Sequence, residues 1–544
     1  MSNPALSSLL DSAIACHRAG DLAEATRLYK AVIADDPLQP DALHMLGVIA
    51  RQQGNNELAL KLIEVALGQR PAMPLAWHNR SMVLRILGRS AEALQSAEQA
   101  VALDPNMAEA WDMVGFLARD AHDLERSRAA HARAVALSPD DLRFLSNHAL
   151  LLYAVGDLTE AYRLLCAVEK RDAYSAAHTM GNVLKSAGYP MRAIPYFEKS
   201  RALLPHAHEV RITEAMAHLQ SGDFAAGWKL WETRPDLDPR FQHLPYWQGQ
   251  PVDHLLLHED QGLGDALQFA RYIPRLRLSA QRITLQVTGV LKELFAASYP
   301  DITLLTLDDP VPAADARIRL LSLPAIFGAD ESNQWPDSKA DIGTTPYLQT
   351  RDAWRAPWRE RLASLPHPRI GLVWGGNPDH LNDALRSIAF AQLAPLLEVG
   401  RGHLISLQKG QQKSGVDFAA AGLFDADPYL KDFTDTAGLV AELDLLIAVD
   451  TSVVHLAAAL AKPVWLLLPF DPDWRWLLGR EDSPWYPTLR LFRQHAPRDW
   501  PEVIARVAAD LGKLLAGDNS VLQPTRWNGS CLRQNPLAVK LPET

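Results

Sequence analysis

At 544 residues, with 48% hydrophobic and 22% charged side chains, the chain has an ordinary globular composition and is too long for one core, so two to four domains are expected. A formal net charge of −10 argues against a general binder of nucleic acid or anionic membrane, and no apolar run approaches the ~20 residues that span a bilayer. The three cysteines, Cys16, Cys166 and Cys531, are far apart, which argues against a disulfide framework or a cysteine metal site and points to a reducing cytoplasm.

The N-terminal segment lacks a basic region followed by a continuous apolar core, so it reads as a first helix and not as an export signal. Gly20, Gly54, Gly88, His122 and Gly156 then recur every 34 residues; Gly188 follows after a two-residue contraction and Gly222 restores the step. Small residues stand seven before each mark (Ala13, Gly47, Ser81, Gly115, Ala149, Gly181, Ala215) and five after it (Ala25, Ala59, Ala93, Ser127, Ala161, Ala193, Gly227). That pattern predicts helical hairpins whose two helices approach closely, and Pro37, Pro71, Pro105, Pro139 and Pro205 close five of them. The period is that of a tetratricopeptide solenoid, expected over 1–234 in about seven units, and such arrays hold polypeptides.

Residues 235–251, rich in proline and aromatics, predict a packed connector. Beyond it, short apolar runs alternate with helical stretches. Strands are expected at His254–His258, Arg282–Val287, Ile302–Thr306, Ala316–Ser322, Arg369–Trp374, His403–Gln408, Leu445–Val449, Pro463–Leu468 and Leu489–Arg493. Helices are expected at Asp265–Leu278, Ala389–Val399, Thr436–Leu443 and Val453–Ala461. The alternation predicts two α/β units with parallel sheets, 252–350 and 351–517, followed by a surface tail over 518–544.

Several segments carry chemistry. In His258–Tyr272 a strand ends, Gly262 and Gly264 follow, and a helix opens near Asp265; this is either an anion-facing helix start or a tight connection with Asp265 as N-cap. The dinucleotide spacing is not met, because position 267 is leucine. In Gly371–Ile388 an apolar strand containing Trp374 runs into Gly375, Gly376 and Asn377, then a loop with His380, Asn382, Asp383, Arg386 and Ser387; it suits a phosphate or carbohydrate, or is a plain loop with an Asp383–Arg386 surface pair. Gln408 and Lys409 end another strand, where the lysine either neutralises phosphate or is solvated. In Ala448–Pro469 a buried strand delivers Asp450 and Thr451 to a helix capped by Thr451 or Ser452, with His455 in its first turn. The stretch Pro469–Pro487 places Trp474, Trp476, Trp485 and Tyr486 near Arg475 and Arg480, for sugar stacking or as a hydrophobic flap.

The DTSVVHLAAALAKP run resembles the D-T/S-x-x-x-H-L-A-A-A-L-G-x-P element of glycosyltransferase family 9, the heptosyltransferases, with Ala461 where glycine is usual. GLGD at Gly262–Asp265 resembles that family's N-terminal G-D element. The whole layout is similar to repeat-containing bacterial flagellin glycosyltransferases and to protein O-GlcNAc transferase. The resemblance implies a GT-B fold of two Rossmann-like domains and a nucleotide-sugar donor contacted by Asp450, Thr451 and His455, with Asp265 as base. The expected donor set is completed by Gly262, Gly264, Trp374, Gly375, Asn377, Arg386, Gln408, Lys409 and Ser452. No cofactor beyond the co-substrate is expected, and no metal, because no D-x-D pair sits in a loop where it would suggest a divalent-metal diphosphate site; Asp471-Pro472-Asp473 is the local candidate.

The expected function is therefore cytoplasmic transfer of a sugar to serine or threonine of a protein acceptor recruited by the repeats, flagellin with a nonulosonic acid donor being one case. The alternatives are a non-catalytic scaffold with a degenerate GT-B region, a transferase acting on lipid-linked glycan, and a sugar-nucleotide epimerase. Removing residues 1–230 is expected to weaken acceptor engagement and leave a folded catalytic region.

Overall fold

The computed structural model describes residues 4–174, 176–235, 238–327, 346–379, 383–526 and 534–542. His380, Asn382 and Cys531 lie outside them. Internal contacts divide the chain into two compact units, with the break after Thr179 and the second unit running Met180–Lys540.

The first unit is built of antiparallel hairpins: α1 (Pro4–Arg18) with α2 (Leu22–Asp35), α3 (Pro40–Gln52) with α4 (Asn56–Gln69), α5 (Pro74–Ile86) with α6 (Ser90–Leu103), α7 (Ala108–Asp120) with α8 (Leu124–Leu137), and α9 (Leu142–Val155) with α10 (Leu158–Glu169). The residue that turns each hairpin is left-handed: Gly20, Gly54, Gly88 and Gly156 have φ of 74–84°, and His122 adopts 62° in the same place. Directly after it, Asp21, Asn55, Asp123 and Asp157 cap the second helix by accepting a backbone N–H three residues on. The small residues do what their spacing predicts. A Cβ on Gly47 would stand 2.7 Å from Ile63 Cγ1 and 3.1 Å from the Ala59 carbonyl, and one on Gly115 would stand 2.7 Å from the His131 ring.

The break falls within the first turn of α11 (Ala177–Ser186); the second unit holds the rest of that helix, then α12 (Pro190–Leu203), α13 (His208–Gln220) and α14 (Phe224–Trp231), repeats in the same register turned at Gly188 and Gly222. The connector is packed as expected: Trp247 is fully buried, and its backbone N–H donates to the Arg317 carbonyl at 2.8 Å. Two parallel sheets follow. The first comprises β1 (Val252–His258), β2 (Ala280–Gln286), β3 (Thr303–Leu305) and β4 (Ala316–Arg319) in the order β3-β2-β1-β4. The second comprises β5 (Ile370–Val373), β6 (Leu404–Ser406), β7 (Phe424–Asp425), β8 (Leu445–Val449), β9 (Val464–Leu468) and β10 (Leu489–Arg493) in the order β10-β9-β8-β5-β6-β7. Strands buried on both faces explain their near-continuous apolar runs.

One hydrophobic core includes Trp228 and Trp231 of α14 together with Phe269 and Trp474, so the terminal repeats share a core with the sheets. A second core lies under the helix Trp500–Leu515.

Several predicted elements differ in the structure; the helix expected over Ala389–Val399 opens as a 3-10 turn, Phe390–Leu393, and is α-helical only over Ala394–Val399. The helix expected over Asp265–Leu278 breaks into Leu263–Phe269, a 3-10 turn and Ile273–Leu276, because Pro274 lacks the donor a continuous helix requires. The strand expected to reach Ser322 stops at Arg319 and coils. The C-terminal tail does not merely cover the surface: Asn535 and Val539 donate their N–H groups to the Gly188 and Ala187 carbonyls, both at 2.9 Å.

Candidate functional site

In an open parallel sheet, a crevice forms where successive crossovers depart to opposite sides. Here β1 lies between β2 and β4, and β5 lies between β8 and β6, so both sheets have such a point. The loops leaving β1, β5, β6 and β8 converge on one cavity of about 780 Å³. It is lined by Gly262, Gly264, Asp265, Gly375, Asn377, Arg386, Gln408, Lys409, Asp450, Thr451, Ser452 and His455, which the sequence had put in four separate segments.

Gly262, with ψ of 171°, is the N-cap of the helix Leu263–Phe269. Asp265 is therefore not the cap but the third helical residue, and its Oδ2 accepts the Gly262 N–H at 2.9 Å. Its Oδ1 pairs with the Arg475 guanidinium. Burial pushes the Asp265 carboxyl above the usual range and Asp473 adds to this, against the pull of Arg475. Gly264 matters for closeness: a Cβ there would lie 3.0 Å from His455 Cδ2, so glycine lets this turn rest on the opposing helix.

That opposing helix, Ser452–Ala459, has Thr451 as its N-cap by position, but the threonine side chain makes no capping bond. Its Oγ1 is buried without a hydrogen-bond partner. A buried hydroxyl left unpaired beside the free amides of a helix start is a place for an anionic or polar ligand. Asp450 Oδ2 accepts the Trp476 indole N–H at 2.9 Å. Burial and then Asp473 raise its pKa to about 6. His455 shares a 2.9 Å hydrogen bond between Nδ1 and the Tyr486 hydroxyl, and its ring stacks on Trp476 at 5.5 Å. Burial, then Arg475 and Arg271, hold His455 well below the usual histidine range, so it is neutral at pH 7.

Five of the expected donor contacts have partners within the protein. The Trp374 side chain is 1% exposed, packs on Phe390 and donates to the Gln412 carbonyl at 3.1 Å, so it belongs to the core and does not line the cavity. Gln408 spends its amide on the protein: Oε1 accepts from Trp374 and Gly375 N–H, and Nε2 donates to the Gly375 and Lys409 carbonyls. It stitches the ends of β5 and β6, shaping the cavity wall. Lys409 Nζ donates to the Leu430 carbonyl at 2.6 Å. Asn377 is exposed and turns its side chain onto the Asp379 N–H. Arg386 does pair with Asp383, but Asp383 is buried, and Ser387 and Gln412 bond the same carboxylate, so this is an internal brace and not a surface pair.

The aromatics of the 469–487 stretch are all buried, Trp474, Trp476, Trp485 and Tyr486 at 2% exposure or less; they pack and offer no free stacking face. Asp471 is held by Lys185, Ser186 and Gln220, and Asp473 by Arg475, so the D-x-D carboxylates face different partners. Arg475, Asp473, Lys431, Asp432, Phe433 and Thr436 also line the cavity and had no place in the expected set. Arg475 meets Asp265 across 210 residues of chain, a distance no local spacing encodes.

Among the described residues, no helix is long and apolar enough to cross a membrane. Tetratricopeptide repeat family models match residues 12–74 and 74–107, so the chain carries tetratricopeptide repeats. Protein FlbA of Caulobacter vibrioides is 26% identical over 441 residues, covering 69% of this chain and 73% of that one, a span longer than the repeats. Solved structures similar to part of the chain include a tetratricopeptide repeat protein from Parabacteroides merdae (19% identity, 43% of this chain and 95% of that one, TM-score 0.34). Another is MamA from Desulfovibrio magneticus RS-1 (21% identity, 32% and 99%, TM-score 0.29).

Proposed function

We propose that this chain is a GT-B glycosyltransferase that moves a sugar from a nucleotide-sugar donor to a serine or threonine hydroxyl of a protein acceptor recruited by its repeats. The observation that carries the reading is the meeting of the GLGD turn and the D-T-x-x-x-H junction in one cavity at the switch points of two parallel sheets. The phosphate of the donor fits against the Ser452–Val453 end of the helix, where the unpaired Thr451 hydroxyl and Arg386 supply further donors.

In the proposed step the acceptor oxygen attacks the anomeric carbon as the bond to the nucleotide phosphate breaks. The phosphate leaves with the bonding electrons, and the acceptor proton passes to the Asp265 carboxylate. Asp265 suits this: its position is fixed by two hydrogen-bonding partners and its basicity is enhanced by burial. Neutral His455 is suited to hydrogen-bond the donor without adding charge.

The experiment is intact-mass analysis of surface and flagellar proteins from cells with and without this chain. Loss of a sugar mass from one protein supports the reading and identifies its acceptor. Unchanged masses in every glycosylated protein contradict it.

A further inference from the structure

Asp265 is joined to the terminal repeats through a single guanidinium. Arg475 donates Nε to Gln268 Oε1 at 2.8 Å, Nη1 to Asp473 Oδ1 at 2.8 Å, and Nη2 to Asp265 Oδ1. Asp265 and Gln268 lie three apart, one turn of the same short helix, so the planar fork grips one helical face at two points. The guanidinium also lies over the Trp474 ring, 4.3 Å from its centroid. Trp474 is packed edge-to-face by Trp228 of α14 at 5.2 Å. Immediately before it, Gln220 of α13 donates to the Pro472 carbonyl at 3.0 Å, while Lys185 and Ser186 of α11 hold Asp471 at 2.9 and 2.8 Å. The loop that presents Arg475 is thus clamped by the last repeat helices on one side and clamps the Asp265 helix on the other.

We infer that Arg475 is the positioning residue for the Asp265 base and that the terminal repeats anchor it, so the repeat helices help set the geometry and ionisation of the carboxylate. The inference rests on the reading of Asp265 as the base. Other groups around that carboxylate are Asp260 on its own loop, Asp473 on the clamping loop, and Asp450 and His455 across the cavity. Arg475 is the cation among them that touches it, so removing its charge leaves mostly acidic neighbours and makes the carboxylate harder to ionise.

The test labels aspartate carboxyl carbons with carbon-13 in the full-length chain and follows their titration by NMR, assigning Asp265 by the signal lost in Asp265→Asn. Arg475→Met is expected to raise the Asp265 midpoint by about one unit or more, the usual effect of losing an adjacent opposite charge, with Arg475→Lys between it and the parent. A Lys185→Met, Gln220→Leu double variant, which leaves Arg475 in place, is expected to move the midpoint in the same direction by less. It also keeps the inference testable if Arg475→Met does not fold. An Asp265 titration unmoved in every folded variant overturns the inference; one moved by Arg475 changes but not by the double variant overturns the anchoring by the repeats. Full sugar transfer by Asp265→Asn would instead overturn the base assignment and leave the Arg475 linkage standing.

Discussion

Each side chain at the cavity has a role that its neighbours fix, and two of them give opposite predictions for stability and activity. Asp265→Asn keeps the size and the Gly262 contact but removes the base, so transfer should fall about 10²–10⁴-fold while donor affinity, measured by calorimetry, changes little. Asp450 behaves differently, because its folded pKa of about 6 lies above the ordinary aspartate value. The folded state therefore holds the proton more tightly, and the stability this contributes is present below about pH 4 and lost as pH rises through about 6. Asp450→Asn should be more stable than the parent at pH 7, by up to about 3 kcal/mol, and should lose that advantage near pH 4 in denaturant titrations, while donor binding weakens. Equal stability gains at both pH values would contradict the linkage.

At the scale of elements, the repeats were legible because one constraint acts seven times, a left-handed turn with two small residues where helices touch, and five of the turns add a side-chain cap at Asp21, Asn55, Asp123, Asp157 and Asp223. The constraint is specific enough to predict opposite outcomes for two glycines of neighbouring helices. Gly47→Ala drives a methyl to 2.7 Å from Ile63 and should destabilise the first unit by about 1–3 kcal/mol. Gly68→Ala meets nothing within 4 Å and should stabilise α4 by up to about 1 kcal/mol; both are read by urea denaturation. The strand ends were legible for a similar reason, since a buried parallel strand must be apolar and must stop at glycine or polar residues. What periodicity does not encode is which way the last side chain points. Trp374 and Gln408 stand at strand ends like true ligand contacts, yet one is buried in the core and the other is consumed by backbone groups. Arg475 was hidden because its meaning arises from a contact with Asp265 that only the tertiary fold makes.

At the scale of the whole molecule, the repeat pattern continues to Arg234, but the contact boundary falls after Thr179. Periodicity reports local helix pairing and is silent on what the outer faces of the last hairpins meet; here Trp228 and Trp231 are buried against Phe269 and Trp474. This corrects the expected truncation. Cutting at residue 230 would strip Trp228, Gln220 and Lys185 from the loop bearing Arg475 and expose a large apolar face, so that fragment should aggregate or melt well below the parent. A fragment starting at Met180 should fold, retain donor binding and lose affinity for the protein acceptor, as thermal unfolding and calorimetry would show. Sugar transfer itself is decided by nucleotide release from UDP-, GDP- and CMP-linked sugars by the purified full-length chain in the presence of a protein extract, run beside Asp265→Asn. Turnover of one donor class is expected, coupled to a mass gain on a protein and at least about a hundredfold slower in the variant. Tight donor binding with no release of nucleotide from any class, or equal release by the variant, would contradict it.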